Sequence, residues 1–343
     1  MIQKKIDMYT INNQQNADTV LFDLVSTIQN FSDSMYTFLY HIGEQEVLNP
    51  FQKIDFGSIN DPLPCEFFER FGVRRLILNA FPGRSAISDH CRIEHDKKNI
   101  ISRNWNNIKD DVIIEELKTL FRSCVIIQFA DWASVYNASD FWDGLLSDVI
   151  RPLNKKDFQF IFYLGDPTKR FVFETDEILD IISEYSSYGK VTLVLDENEA
   201  DRLWSILNGW NPGSTHISYA PHRAIEKYLS IFKTMSIDAL VIFSVNGTLL
   251  LSREQRFEFA GRSLNNVTAS KYIKDCFDAG YQLGLLLRLK IPHCIALGLT
   301  VSGAYLENKS GPDQKTLLTY IKAWIAELKT TASLLKNELE NTI

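Results

Sequence analysis

From residue 123 to residue 300 the chain alternates short β-rich runs with amphipathic stretches, and few folds accommodate that rhythm. A strand that passes through a helix into another strand returns parallel to the first. Repeated units therefore build a parallel sheet covered by helices. Ser123–Phe129 reads as a buried strand, followed by a helix over 139–150 in which Phe141, Leu145, Leu146, Val149 and Ile150 recur at helical spacing. Phe158–Leu164 is the next strand and ends at Gly165-Asp166-Pro167, with a helix expected over 176–185. Val191–Leu195 is a strand closed by Asp196; the helix Glu199–Leu207 after it stops at Asn211-Pro212-Gly213. Pro221 suits the first turn of a helix running to Met235. Asp238–Ser244 is a strand, and Asn246-Gly247 turns it into 248–252 as a hairpin. Helices follow at 275–289, 292–300 and 314–335. The expectation is an α/β fold: a doubly wound, mostly parallel sheet with helices on both faces and its site at the strand carboxyl ends.

Before residue 120 the pattern is weaker. Arg75–Asn79 and Cys91–Glu94 read as strands, the latter in a hairpin turning near Asp96-Lys97-Lys98. No linker or repeat divides the 343 residues, so one domain over 1–343 is expected.

Composition narrows the function. A net charge of −7 disfavours nucleic acid and anionic membrane as partners, since both need a cationic field. The five cysteines are scattered, which disfavours a disulfide framework or a zinc knuckle. No apolar h-region follows the basic N-terminus and no run reaches the length of a membrane span, so a cytoplasmic protein is expected. Walker-type, dinucleotide-binding and nucleophile-elbow motifs are absent. The pairs His90/His95 and His216/His222 read as surface or core histidines rather than metal ligands.

The densest motif is Ser270-Lys271-Tyr272-Ile273-Lys274-Asp275-Cys276-Phe277-Asp278-Ala279-Gly280, a loop running into an apolar helix with a carboxylate at its start. On its own Asp275 is an ordinary helix-start carboxylate. The run resembles the signature of the PfkB, ribokinase-like carbohydrate kinases, where Thr-Gly-Ala-Gly-Asp precedes an aromatic and then Ala-Gly. Asp275, Phe277, Ala279 and Gly280 match; Tyr272, Ile273 and Lys274 stand where the glycine-rich anion hole belongs. Upstream, Asp196-Glu197-Asn198-Glu199 is similar to the family's Asn-x-x-Glu, with Asp196 replacing the Asn. Read by itself it is an acidic first turn. Asp131-Trp132 and Asp166-Pro167-Thr168-Lys169-Arg170 resemble runs of divergent members. In all, the resemblance covers roughly residues 75–335.

The resemblance implies a ribokinase-like sheet with a small β lid, its elements within about 40–110, through whose strands members dimerise. It implies transfer of the γ-phosphate of ATP, with Mg2+, to a hydroxyl of a sugar or related small molecule. Asp275 would then be the general base. Glu199 and Asp196 would be the metal-side residues. Lys271, Lys274, Asn246, Gly247, Ser302 and Gly303 would face the nucleotide, and Trp132 would be a platform for the sugar, although a Trp at a strand end is more often core. The missing glycines leave a second reading open: a pseudokinase that binds a nucleotide, metabolite or protein without turnover. Backbone amides aimed at the moving phosphoryl group carry much of the rate in such chemistry. Ile273 resists the positive φ that glycine permits there.

Overall fold

The computed structural model describes residues 13–30, 53–56, 75–77, 104–135, 137–209, 221–244, 246–262 and 273–340. Among the described residues eight strands form one sheet. They are β1 (Lys53–Phe56), β2 (Arg75–Ile77), β3 (Ile126–Phe129), β4 (Phe158–Phe162), β5 (Gly189–Asp196), β6 (Ala239–Ser244), β7 (Gly247–Ser252) and β8 (Arg256–Ala260). Their order is β2-β1-β3-β4-β5-β6-β7-β8. The pairings are parallel from β2 through β6, and β7 and β8 add antiparallel. The fold is the α/β sheet with helices on both faces that the rhythm implied.

The first face is closed by α2 (Trp105–Ile108), α3 (Asp111–Ser123), α4 (Ala138–Leu145), α5 (Val172–Tyr185), α6 (Glu197–Leu207) and α7 (Pro221–Thr234). Three of these, α4, α5 and α6, lie in the connections that lead from one parallel strand to the next. The second face is closed by the chain's two ends. These are α1 (Asn13–Gln29) and the C-terminal α8 (Ile273–Leu286), α9 (Ile291–Asn308) and α10 (Gln314–Glu340). Helices α8 and α9 approach at backbone distance: a Cβ on Gly280 would lie 2.7 Å from the Leu297 carbonyl and 2.8 Å from the Gly298 Cα. Side chains there would force the two helices apart.

Most expected elements stand within a few residues of their place. Differences have physical causes. α9 runs to Asn308 rather than stopping near Thr300, because Gly298 and Gly303 are needed for close packing that outweighs their low helix propensity. β8 was not expected, although Arg256-Phe257-Glu258-Phe259-Ala260 alternates; it is an edge strand, buried on one side only. In the weakly patterned N-terminal third, β1 and β2 belong to the main sheet, and α1 and α3 are amphipathic helices missing from the expectation. The expected Cys91–Glu94 strand and the remaining lid stretch up to 103 lie outside the described residues. No helix among the described residues is long and apolar enough to cross a membrane.

Candidate functional site

Parallel strands present their carboxyl ends, and the loops after them, along one edge of the sheet, where α/β proteins bind ligands. β5 ends there at Asp196, which caps α6. Its Oδ1 accepts from the Glu199 amide at 2.8 Å, and Glu199 Oε2 accepts from the Asp196 amide at 2.9 Å. This reciprocal capping box fixes the helix start. α8 begins beside it. Lys274, the second residue of α8, places Nζ 2.5 Å from Glu199 Oε2 and 5.6 Å from the centre of the Tyr163 ring. Two motif segments 75 residues apart thus meet side chain to side chain. Asp275, next to Lys274 in the first turn of α8, is half-buried.

Behind this contact lies a polar seam. Gln282 Nε2 donates to Gln128 Oε1 at 2.6 Å and to the Tyr163 hydroxyl at 3.2 Å. Asp278, one turn beyond Lys274, is 7% exposed. Burial and then the Asp278 carboxylate push the Tyr163 hydroxyl well above the ordinary tyrosine range. For Lys274, burial disfavours the ammonium, but Glu199 and then Asp278 outweigh it and the net shift is upward. Burial pushes Glu199 up, against the pull of Lys274. The Lys274 ammonium is thus the firmly charged member of the pair. Asp278, Tyr163, Gln128 and Gln282 were not among the expected residues. One signal was present: Lys274, Asp278 and Gln282 recur every four residues and so share one face of a largely apolar helix.

The remaining expected residues sit on the adjoining edge. Asn246 closes the tight turn between β6 and β7, where Ser244 pairs with Gly247, and its carbonyl accepts from the Gly261 amide at 2.8 Å. Gly261, Arg262, Ile273, Leu299, Ser302, Gly303, Leu306 and Tyr320 line a cleft of about 10 Å³, room for one water. Ser302 and Gly303 lie within α9; the Ser302 hydroxyl donates to the Leu299 carbonyl at 3.1 Å, and a Cβ on Gly303 would collide with the Tyr320 hydroxyl. Arg262 fills the mouth, stacked 5.0 Å from the Tyr320 ring and paired with Glu307 and Glu327 at 2.5 and 2.7 Å. The cleft and the Lys274–Glu199 pair are joined through the start of α8. Lys271 lies outside the described residues.

Trp132 does not present a platform for a sugar. It is 1% exposed, its Nε1 donates to Ser139 Oγ at 2.9 Å, and the Arg170 guanidinium covers its ring at 5.5 Å. Arg170 also donates to the carbonyls of Trp132 and Val135. Asp166 caps the turn after β4 through Thr168 and pairs with Arg202 of α6 at 2.5 Å. Burial opposes ionisation of Asp166, but the Thr168 hydroxyl and amide and the Arg202 guanidinium win, holding its carboxyl below the ordinary range. These matched residues brace the loops around the site.

Among the described residues no group of three or more His, Cys, Asp and Glu side chains is arranged to hold a metal ion. Asp196 and Glu199 do not fit the magnesium-side role the resemblance implied. Glu199 Oε2 already accepts from two nitrogens, one of them a full positive charge.

No protein-family model matches the chain. No curated protein matches it significantly. Among solved structures, adenosine kinase from Sinorhizobium meliloti is similar over 65% of this chain and 59% of its own, at 14% identity and a TM-score of 0.44. Arabidopsis thaliana ribokinase, solved with ribose and ATP, is similar over 62% of this chain and 59% of its own, at 14% identity and a TM-score of 0.42. A putative ribokinase II from E. coli, solved with ATP and Mg2+, is similar over 64% of this chain and 63% of its own, at 11% identity and a TM-score of 0.44. The chain thus spans less than two thirds of the length of each. Likenesses of this size carry neither an activity nor a substrate over to this chain.

Proposed function

We propose that this protein is a kinase-derived phosphotransferase of carbohydrate-kinase type, moving the γ-phosphate of ATP to a hydroxyl of a sugar or related small molecule, and doing so slowly. The observation that carries the reading is the contact of Lys274 with Glu199, which joins the two motif-bearing helix starts in one crevice at the strand carboxyl ends. Asp275 stands beside that contact with the N-terminal end of α8 behind it. In the proposed reaction its carboxylate takes the proton of the acceptor hydroxyl as that oxygen bonds to the γ-phosphorus and the bridging oxygen leaves with ADP. The rate is expected to be low, because Tyr272-Ile273-Lys274 stands in place of Gly-Ala-Gly, and one lost anion-hole donor costs roughly a hundred- to a thousandfold in other enzymes. The reading suits a reducing, nucleotide-rich compartment such as the cytoplasm; the side chains of Cys124, Cys276 and Cys294 are buried.

A second reading, binding of nucleotide or metabolite without turnover, is favoured by the engagement of Glu199 with Lys274. ADP release measured across a panel of sugars and nucleosides separates the two. Under the first reading one acceptor gives turnover, and Asp275→Asn abolishes it while ATP still raises the melting temperature. Equal turnover in both proteins would make Asp275 only a helix-start residue. ATP binding with no turnover for any acceptor would leave the second reading.

A further inference from the structure

We propose that Lys274 is a tethered cation standing where a divalent ion would otherwise sit between the starts of α6 and α8, so that the crevice carries its positive charge in the chain itself. The inference takes its functional meaning from the kinase-derived reading above, but its geometry is independent of it. Three carboxylates act on this one ammonium. Glu199 touches it at 2.5 Å, and Asp278 and Asp196 add to the field around it. The ammonium is screened from solvent, with the Lys274 side chain 20% exposed and that of Glu199 13%. Tyr163 presents its ring to the same charge. The arrangement gathers more negative than positive charge in a part-buried place, although among the described residues no three carboxylates converge there, so water would complete the shell of a metal ion admitted beside Glu199. The place is taken. A divalent ion approaching Glu199 would meet an oxygen already accepting two N–H donors and a like charge a few ångströms away.

The consequence is that divalent ions are excluded from this crevice by Lys274 and admitted when it is removed. The test is Mn2+ binding to the nucleotide-free, full-length protein, followed by the resonance of free Mn2+, together with melting temperature against MgCl2. For the wild type we expect no stoichiometric Mn2+ and no shift with Mg2+. For Lys274→Ala and the better-filling Lys274→Met we expect one Mn2+ per chain, tightened by roughly a hundredfold or more, as removal of a unit charge at this distance implies. Their melting temperatures should rise with Mg2+ or Mn2+. Lys274→Arg keeps the charge and should stay silent, and Glu199→Gln added to Lys274→Met should abolish the new site. A wild type that binds Mn2+ as tightly as the variants overturns the proposal. So do folded Ala and Met variants that bind none, and so do Ala and Met variants that remain unfolded at every Mn2+ concentration. ATP binding measured in EDTA separates this from the functional reading. If ATP never binds, the kinase-derived reading fails while the manganese comparison still stands.

Discussion

On the face covered by α4 and α5, Phe129 stacks on Phe162 at 4.6 Å, Tyr185 meets both edge-on at 5.1 Å, and Trp142 closes the group at 5.3 Å from each phenylalanine. The single buried polar tip, the Tyr185 hydroxyl, donates to the Trp142 carbonyl at 2.6 Å. On the face covered by α8 and α9 the sheet contributes Gln128, Thr192 and Thr248, and the helices add Asp278, Gln282, Thr300 and Ser302, all buried. Among the described residues only Thr175 is a buried polar side chain on the first face. Rings with matched geometry stabilise without needing partners. Buried amides and carboxylates are costly unless each is satisfied, so they persist where specificity or chemistry requires them. One face holds the sheet together; the other leads to the Lys274–Glu199 contact.

Substitutions should therefore separate stability from site chemistry. Phe162→Ala removes a ring that packs against three others and should cost about 3–5 kcal/mol in urea unfolding. Whatever ligand response the folded fraction has should be unchanged. Gly280→Ala on the other face sets a Cβ against the α9 backbone and should cost about 1–3 kcal/mol. It should also move the start of α8, so any ATP-induced thermal shift should shrink with it. A full ligand response in folded Gly280→Ala would break the link between α8 packing and the site. Gln282→Leu removes one donor to Gln128 and Tyr163 and should cost about 1 kcal/mol by chemical unfolding.

The smallest effect is electrostatic and belongs to the aromatic face. The Trp105 indole holds the Asp148 carboxyl below the ordinary aspartate range; burial opposes that shift, and Lys109 adds to it. A depressed carboxyl contributes stability above the unfolded value, about 4, and loses it as the pH falls through the folded one. The acid limb of a stability–pH profile should be shallower for Asp148→Asn than for the wild type below about pH 4. The profile near Lys274 runs the other way. Its raised value means the stabilising charge is complete below the ordinary lysine range and is lost only as the pH climbs past the folded value.

The aromatic face was legible in the sequence because its signals are local. Phe158-Gln-Phe-Ile-Phe-Tyr-Leu164 and Val191–Leu195 are short apolar runs flanked by turn residues, and the helices between them keep a clean period. The polar face was legible only in part. Lys274 and Glu199 were separately marked by their motifs, but a pairing across 75 residues leaves no trace in local spacing. Gln128 sits inside β3 and Tyr163 directly after β4, in runs whose hydrophobic pattern hides them. Trp132 allowed two readings in the sequence, a sugar platform or the commoner core residue at a strand end, and its burial under Arg170 decides for the core.

Hydrogen–deuterium exchange of the wild type with and without ATP tests the central claim most directly, because it locates the ligand as well as detecting it. The account predicts slower exchange in the starts of α6 and α8, residues 196–204 and 273–280, while the α5 segment 172–185 is unchanged. Protection confined to other segments, or ATP binding that leaves both helix starts as they were, would contradict it.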